Sequence, residues 1–121
     1  MATNTVYTAT KDSGNGVSNV AYGTAVFDAT AITAADSVVI SLGFTPRYVA
    51  WENVTDRIKC EWYQGMAANS CIKTAAAGTR TLEVTGGNGG ITVAAGQFSV
   101  LQNATLAAIL ASKTCVWEAV G

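Results

Sequence analysis

The chain has 121 residues, of which half are hydrophobic and 12% charged, with a formal net charge of −1 and no histidine. A single domain of this length buries roughly two-thirds of its unfolded surface. The seven lysines and arginines are scattered, which argues against a nucleic-acid-binding footprint, and the lack of histidine removes the commonest general base and metal ligand.

Residues 1–19 are mostly Thr, Asn, Ser and Gly, with isolated apolar side chains at Val6, Tyr7 and Val17. They read as an extended N-terminal arm, followed by one β-rich domain over residues 20–121. The arm has too little apolar surface to offset an ordering cost of roughly 1–2 kcal/mol per residue. A neighbouring subunit is therefore expected to hold it, with Asn4 to Thr10 adding to an exposed sheet edge. The start, Met1 to Gly14, lacks a basic n-region and an apolar h-region, so folding in a reducing cytoplasm is expected. Cys60, Cys71 and Cys115 are odd in number and widely spaced, and read as free buried thiols.

Val20 to Asp28 is rich in β formers and predicts a strand, and Asp36 to Leu42 a second one stopped by Gly43 and Pro46. The stretch Gly43 to Met66 carries the only proline, two of three tryptophans, two of four tyrosines and six of fifteen charged residues. It predicts a hairpin, with strands Tyr48–Asn53 and Ile58–Tyr63 about a Val54–Arg57 turn. One face carries Val49, Trp51, Ile58, Cys60 and Trp62, and the other Tyr48, Glu52, Lys59, Glu61 and Tyr63. Ser70 to Thr74 and Thr79 to Val84 predict two further strands about an Ala75–Gly78 turn. In the second of these, Leu82 and Val84 are expected to point inward with Arg80, and Thr79, Thr81 and Glu83 outward. Gly86 to Gly90 reads as a turn, and Ile91 to Val93 and Phe98 to Leu101 as strands. Asn103 is placed to cap a helix over Ala104–Ser112, with Leu106, Ile109 and Leu110 on one face. Thr114 to Val120 closes the chain as a strand with Cys115, Trp117 and Ala119 on one side. The fold expected is all-β, an antiparallel β-sandwich or barrel with one short C-terminal helix.

The chemistry that this pattern supports is sparse. No cysteine pair has zinc spacing, and a cysteine nucleophile lacks an imidazole partner, so no metal, cofactor or catalytic residue is assigned. Glu52, Asp56 and Glu61 are interleaved with Arg57 and Lys59 and read as cross-strand ion pairs, not as an acid and a base. The longest apolar run, Ala104 to Ala111, is too short to span a bilayer. The candidate interaction surface is Tyr48, Trp51, Trp62 and Tyr63, with Val6 and Tyr7 of the arm; the four hairpin aromatics read either as core or as an exposed platform for a sugar ring or a protein groove.

The order of these signals resembles small bacteriophage virion proteins. A short strand enters Gly43-Phe44-Thr45-Pro46, followed by Tyr48-Val49, Asn53 and Trp62. Gly65-Met66, Lys73-Thr74, the Gly86-Gly87 to Gly90-Ile91 segment and a closing aromatic strand around Trp117 come next. The pieces span residues 36–120. The resemblance implies a non-enzymatic, β-rich part of the particle, either a head decoration (cement) protein or a fibre-associated module. Its partners would be the major capsid protein or other virion proteins, its site of synthesis the host bacterial cytoplasm, and its working form a homo-oligomer such as a trimer. Neither nucleic acid nor membrane is an implied partner. The alternative is a carbohydrate-binding receptor module of a head or tail fibre.

Overall fold

β-branched and aromatic residues at alternate positions favour a pleated sheet with one covered face, and that pattern recurs along the chain. The computed structural model describes residues 7–9, 12–13, 19–33, 36–84, 90–102 and 106–121. Its strands are β1 (Tyr7–Ala9), β2 (Asp12–Ser13), β3 (Val20–Phe27), β4 (Ser37–Ser41), β5 (Tyr48–Asn53), β6 (Ile58–Tyr63), β7 (Cys71–Thr74), β8 (Arg80–Glu83), β9 (Ile91–Ala94), β10 (Gln97–Leu101) and β11 (Thr114–Val120). They form two antiparallel sheets. The large sheet runs β1-β3-β11-β5-β6-β7-β8, with β2 also on β3, and the small one runs β4-β10-β9. The expected all-β sandwich is therefore present, whereas no barrel closes and no helix occurs among the described residues.

The core lies between the sheets. Val38, Ile40, Ile91, Phe98 and Val100 of the small sheet face Ala21, Ala25, Val49, Trp51, Cys60, Trp62, Cys71, Cys115, Trp117 and Ala119 of the large one. Phe98 makes edge-on contacts with two indoles, at centroid distances of 6.3 Å to Trp51 and 5.5 Å to Trp117. This edge-to-face geometry suits the ring quadrupoles and adds to the apolar burial. A bridge between Ser70 and Ile91 ties the two sheets together at one side.

The hairpin forms in the register its alternation predicts, with Tyr48 opposite Tyr63, Val49 opposite Trp62 and Trp51 opposite Cys60. Its turn holds Arg57 at a φ of 60°, in the left-handed region. Asn53, fully buried, stabilises it. The Asn53 Oδ1 accepts from the Asp56 amide at 3.1 Å, and its Nδ2 donates to the Asp56 carboxylate at 3.0 Å.

Two expectations are corrected. The helix over Ala104–Ser112 does not form; residues 103–105 lie outside the described set, and 106–112 are irregular, with Ala107 and Ser112 at φ values of 53° and 64°. The reason is competition for carbonyls. Trp51 Nε1 donates to the Ala108 oxygen at 3.0 Å and Asn53 Nδ2 to the Ala107 oxygen at 3.2 Å, while Leu106, Ala108 and Ile109 are buried. In a helix those carbonyls would be committed to amides four residues on. In β8 the alternation holds but the faces are reversed. Glu83 is buried opposite Cys71, and Leu82 is 65% exposed opposite Ile72, so Arg80 also faces outward. The described part of the arm is strand: Tyr7 lies opposite Phe27 and Ser13 opposite Ala21, in one register against β3 of the same chain. The glycine-rich turn, apart from Gly90, lies outside the described residues.

A side chain at Gly90 would overlap Leu106 and press on the Cys71 sulfur, at 3.3 Å. Gly90→Ala is expected to lower stability by about 1–3 kcal/mol through overpacking. The readout is a lower urea midpoint at unchanged denaturant slope. A midpoint equal to the wild type would mean that Leu106 moves aside freely.

Candidate functional site

Because successive side chains alternate, covering one face of the large sheet fixes what the other presents. Three cross-strand rows run over the outward face, with the Val26–Thr114 pair beyond them. The central row is Tyr22, Glu118, Ala50, Glu61, Ile72 and Leu82. On one side of it run Val20, Val120, Tyr48 and Tyr63, and on the other Thr24, Val116, Glu52, Lys59, Thr74 and Arg80. Of the seven large hydrophobic side chains exposed among the described residues, five stand on strands of this face: Tyr22, Val26, Tyr63, Leu82 and Val116.

Glu61 is its polar centre. Its side chain is only 14% exposed, and it takes contacts from three strands. Tyr48 Oη donates to it at 2.8 Å and Tyr63 Oη at 3.4 Å. Lys59 Nζ lies 3.9 Å away and Arg80 Nη2 3.6 Å away. The two tyrosine rings are tilted by 55° with centroids 5.0 Å apart. Burial first, and then the hydrogen bond to Glu61 with its negative charge, push the Tyr48 phenol well above the ordinary tyrosine value. These groups form one polar cluster, in which the acid is shared between two phenols and two cations.

The structure separates the six candidate interaction residues. Tyr48 and Tyr63 stand together on the outward face. Trp51 and Trp62 do not: both are buried on the inward side, and their indole N–H groups are satisfied internally, by Ala108 and by the Ala67 oxygen at 3.2 Å. Their reading as contact residues is therefore corrected to core. Tyr7 occupies the β1 position opposite Phe27, and Val6 lies outside the described residues. Arg80 is the residue the sequence reading missed, because it depends on the facing of β8. Asp56, expected to pair across the hairpin, meets Lys113 instead, at 3.3 Å.

Cys60, Cys71 and Cys115 are free and buried. A hydrogen bond with Cys71, together with burial, pushes the Cys60 thiol up, and burial raises Cys115 to about 12, so neither supplies a thiolate near neutral pH. Among the described residues no group of three or more Cys, Asp or Glu is placed to hold a metal ion. No helix among them is long and apolar enough to cross a membrane.

The Tyr48–Glu61 contact is testable by titration. One tyrosine should ionise after the others, and Glu61→Gln should move that late step to lower pH in a tyrosinate absorbance titration. The sign for stability follows from the raised folded-state value: the contribution is full below the ordinary value of about 10 and is lost as pH rises through the folded one. An unchanged curve in Glu61→Gln would show that the carboxylate does not act on this phenol.

Compared with protein-family models, with curated proteins and with solved structures, the chain matches none, so a functional reading stands on the geometry of this face and on the order of residues along the chain.

Proposed function

We propose that the chain is a non-enzymatic structural subunit of a bacteriophage virion, one that binds and stabilises the capsid surface through the outward face of its large sheet. The observation that carries this is that Tyr22, Val26, Tyr63, Leu82 and Val116, five of the seven large hydrophobic side chains exposed among the described residues, all stand on that one face. Exposed apolar surface gathered in one region marks interaction sites more often than chance scatter does, and tyrosine and arginine are enriched where proteins meet. The resemblance of residues 36–120 to small virion proteins supplies the partner class, the major capsid protein or its neighbours in the particle. A low charge content, 12%, fits a surface that is covered by neighbours. The working form is a homo-oligomer, and a trimer matches the local threefold positions of an icosahedral shell.

Purified chain should co-sediment with capsids of the phage that encodes it, in many copies per particle. Tyr22→Ser combined with Leu82→Ser should abolish that binding while leaving the fold intact, because both side chains are exposed and such changes are usually within about 0.5 kcal/mol. Full occupancy by the double variant would remove the sheet face from the proposal, and no binding by the wild type would remove the capsid.

A second reading, a carbohydrate-binding module on a head or tail fibre, is favoured by one feature. Tyr63, 44% exposed, offers a ring face beside the Glu61 carboxylate and the Arg80 guanidinium. A sugar needs such a combination of a stacking surface and fixed polar groups. Under this reading the chain binds glycans of the host cell surface on an array and is present in few copies, and Tyr63→Ala removes the signal. An array on which the wild type binds nothing would eliminate it.

A further inference from the structure

Within the outward face, we propose that a hollow at Ala50 receives an arginine side chain from the partner protein. This deepens the docking reading above and rests on it. Ala50 sits between Glu118 and Glu61 in the central row, and its single methyl group among longer side chains leaves a depression of about 200 Å³. Ala50 and Val116 line it with apolar surface, and Glu52, Glu118 and Lys59 line it with charge. Glu52 faces Val116 across the β5–β11 pair while Glu118 faces Ala50, so the two carboxylates are diagonal neighbours, a relation that spans about 7–8 Å between backbones.

The charge arrangement selects the occupant. Lys59 has Glu61 at 3.9 Å, and Arg80 has it at 3.6 Å, so two cations are gathered on that one acid. Glu52 and Glu118 make no ion pair among the described residues. An acidic side chain entering the hollow would meet both carboxylates, and a neutral one would strip them of water without compensation. A cationic side chain pairs with both carboxylates, while Lys59, the one cation lining the hollow, is drawn toward Glu61. Arginine fits better than lysine, because its methylene stem lies along Ala50 and Val116 while its planar fork reaches two acceptors at once.

The test uses the whole chain and a defined probe, Nα-acetyl-arginine methylamide, with the citrulline analogue as its uncharged isostere. Backbone amide shifts of Ala50, Val116 and Glu118 in the labelled protein should saturate with the arginine probe. The citrulline analogue should bind more weakly, and Glu52→Gln combined with Glu118→Gln should weaken the arginine probe roughly fivefold. Equal shifts from both probes, no shifts from the arginine probe, or an unchanged response in the double variant would each overturn the proposal. Capsid co-sedimentation separates it from the reading it rests on. If the wild type binds capsids and the charge-neutral variant binds equally well, the hollow is not the site and docking stands. If the wild type fails to bind capsids while the arginine titration saturates as described, docking on the capsid falls and the arginine site stands.

Discussion

The hydrogen bond from the Trp51 indole to the Ala108 carbonyl, 3.0 Å and buried, is the contact on which the rest of this structure depends. An indole placed at the centre of a sandwich brings a polar N–H into an apolar region, where an unpaired donor costs about 1–3 kcal/mol. The chain meets that demand by keeping residues 106–112 irregular, so that the Ala107 and Ala108 carbonyls point at the hairpin. Asn53 uses the first of them and the Cys115 thiol, at 3.4 Å, shares the second. A regular helix here would have closed those carbonyls on itself and left Trp51 and Asn53 unsatisfied. The irregular segment thus closes the core, with Leu106, Ala108 and Ile109 buried beneath it.

With Trp51 committed inward, sheet geometry determines the other face. Trp62, Val49 and Cys60 share its side, so Tyr48, Glu61 and Tyr63 cannot. A slip of one residue in the hairpin would exchange the two sets and bury charged side chains such as Glu52, Lys59 and Glu61, which makes the register strongly specified. Glu61 then falls where phenols from β5 and β6 and cations from β6 and β8 converge. Exposed ion pairs of this kind contribute little to stability. What they supply is position: two tyrosine rings fixed against one acid, at little further entropic cost when a partner arrives.

The parts of this architecture legible in the sequence are those whose signal is local. The hairpin is readable because alternation on both sides of an Asn–Asp turn permits one register, and the last strand because Cys115, Trp117 and Ala119 alternate cleanly with Val116 and Glu118. The expected helix fails for the converse reason. Ala104 to Ser112 is rich in good helix formers, but the groups that claim its carbonyls lie 57 and 54 positions away in the chain. The facing of β8 is likewise hidden, since Arg-Thr-Leu-Glu alternates equally well in either sense. Its pairing with β7 decides the matter, and that is why Arg80 does not stand out in the sequence as a partner of Glu61. Assigning the four hairpin aromatics to one surface overlooks what their own alternation states, that tryptophans and tyrosines stand on opposite sides.

The division between the two pairs of aromatics also decides what the outward face presents. Its tryptophans are committed to the core, where three strands of the small sheet cover the inward side of the large one. Nothing comparable covers the outward side among the described residues, and the exposed apolar side chains there are spread across several strands. A partner with a surface of matching shape can engage many of these side chains at once, and the binding energy then comes from a few of them, the rest serving to exclude water. Tyrosine suits that role because it offers a large contact area with few torsions to freeze. On the docking reading proposed above, the spread of Tyr22, Tyr63 and Leu82 across the sheet favours a broad partner over a sugar or another small molecule.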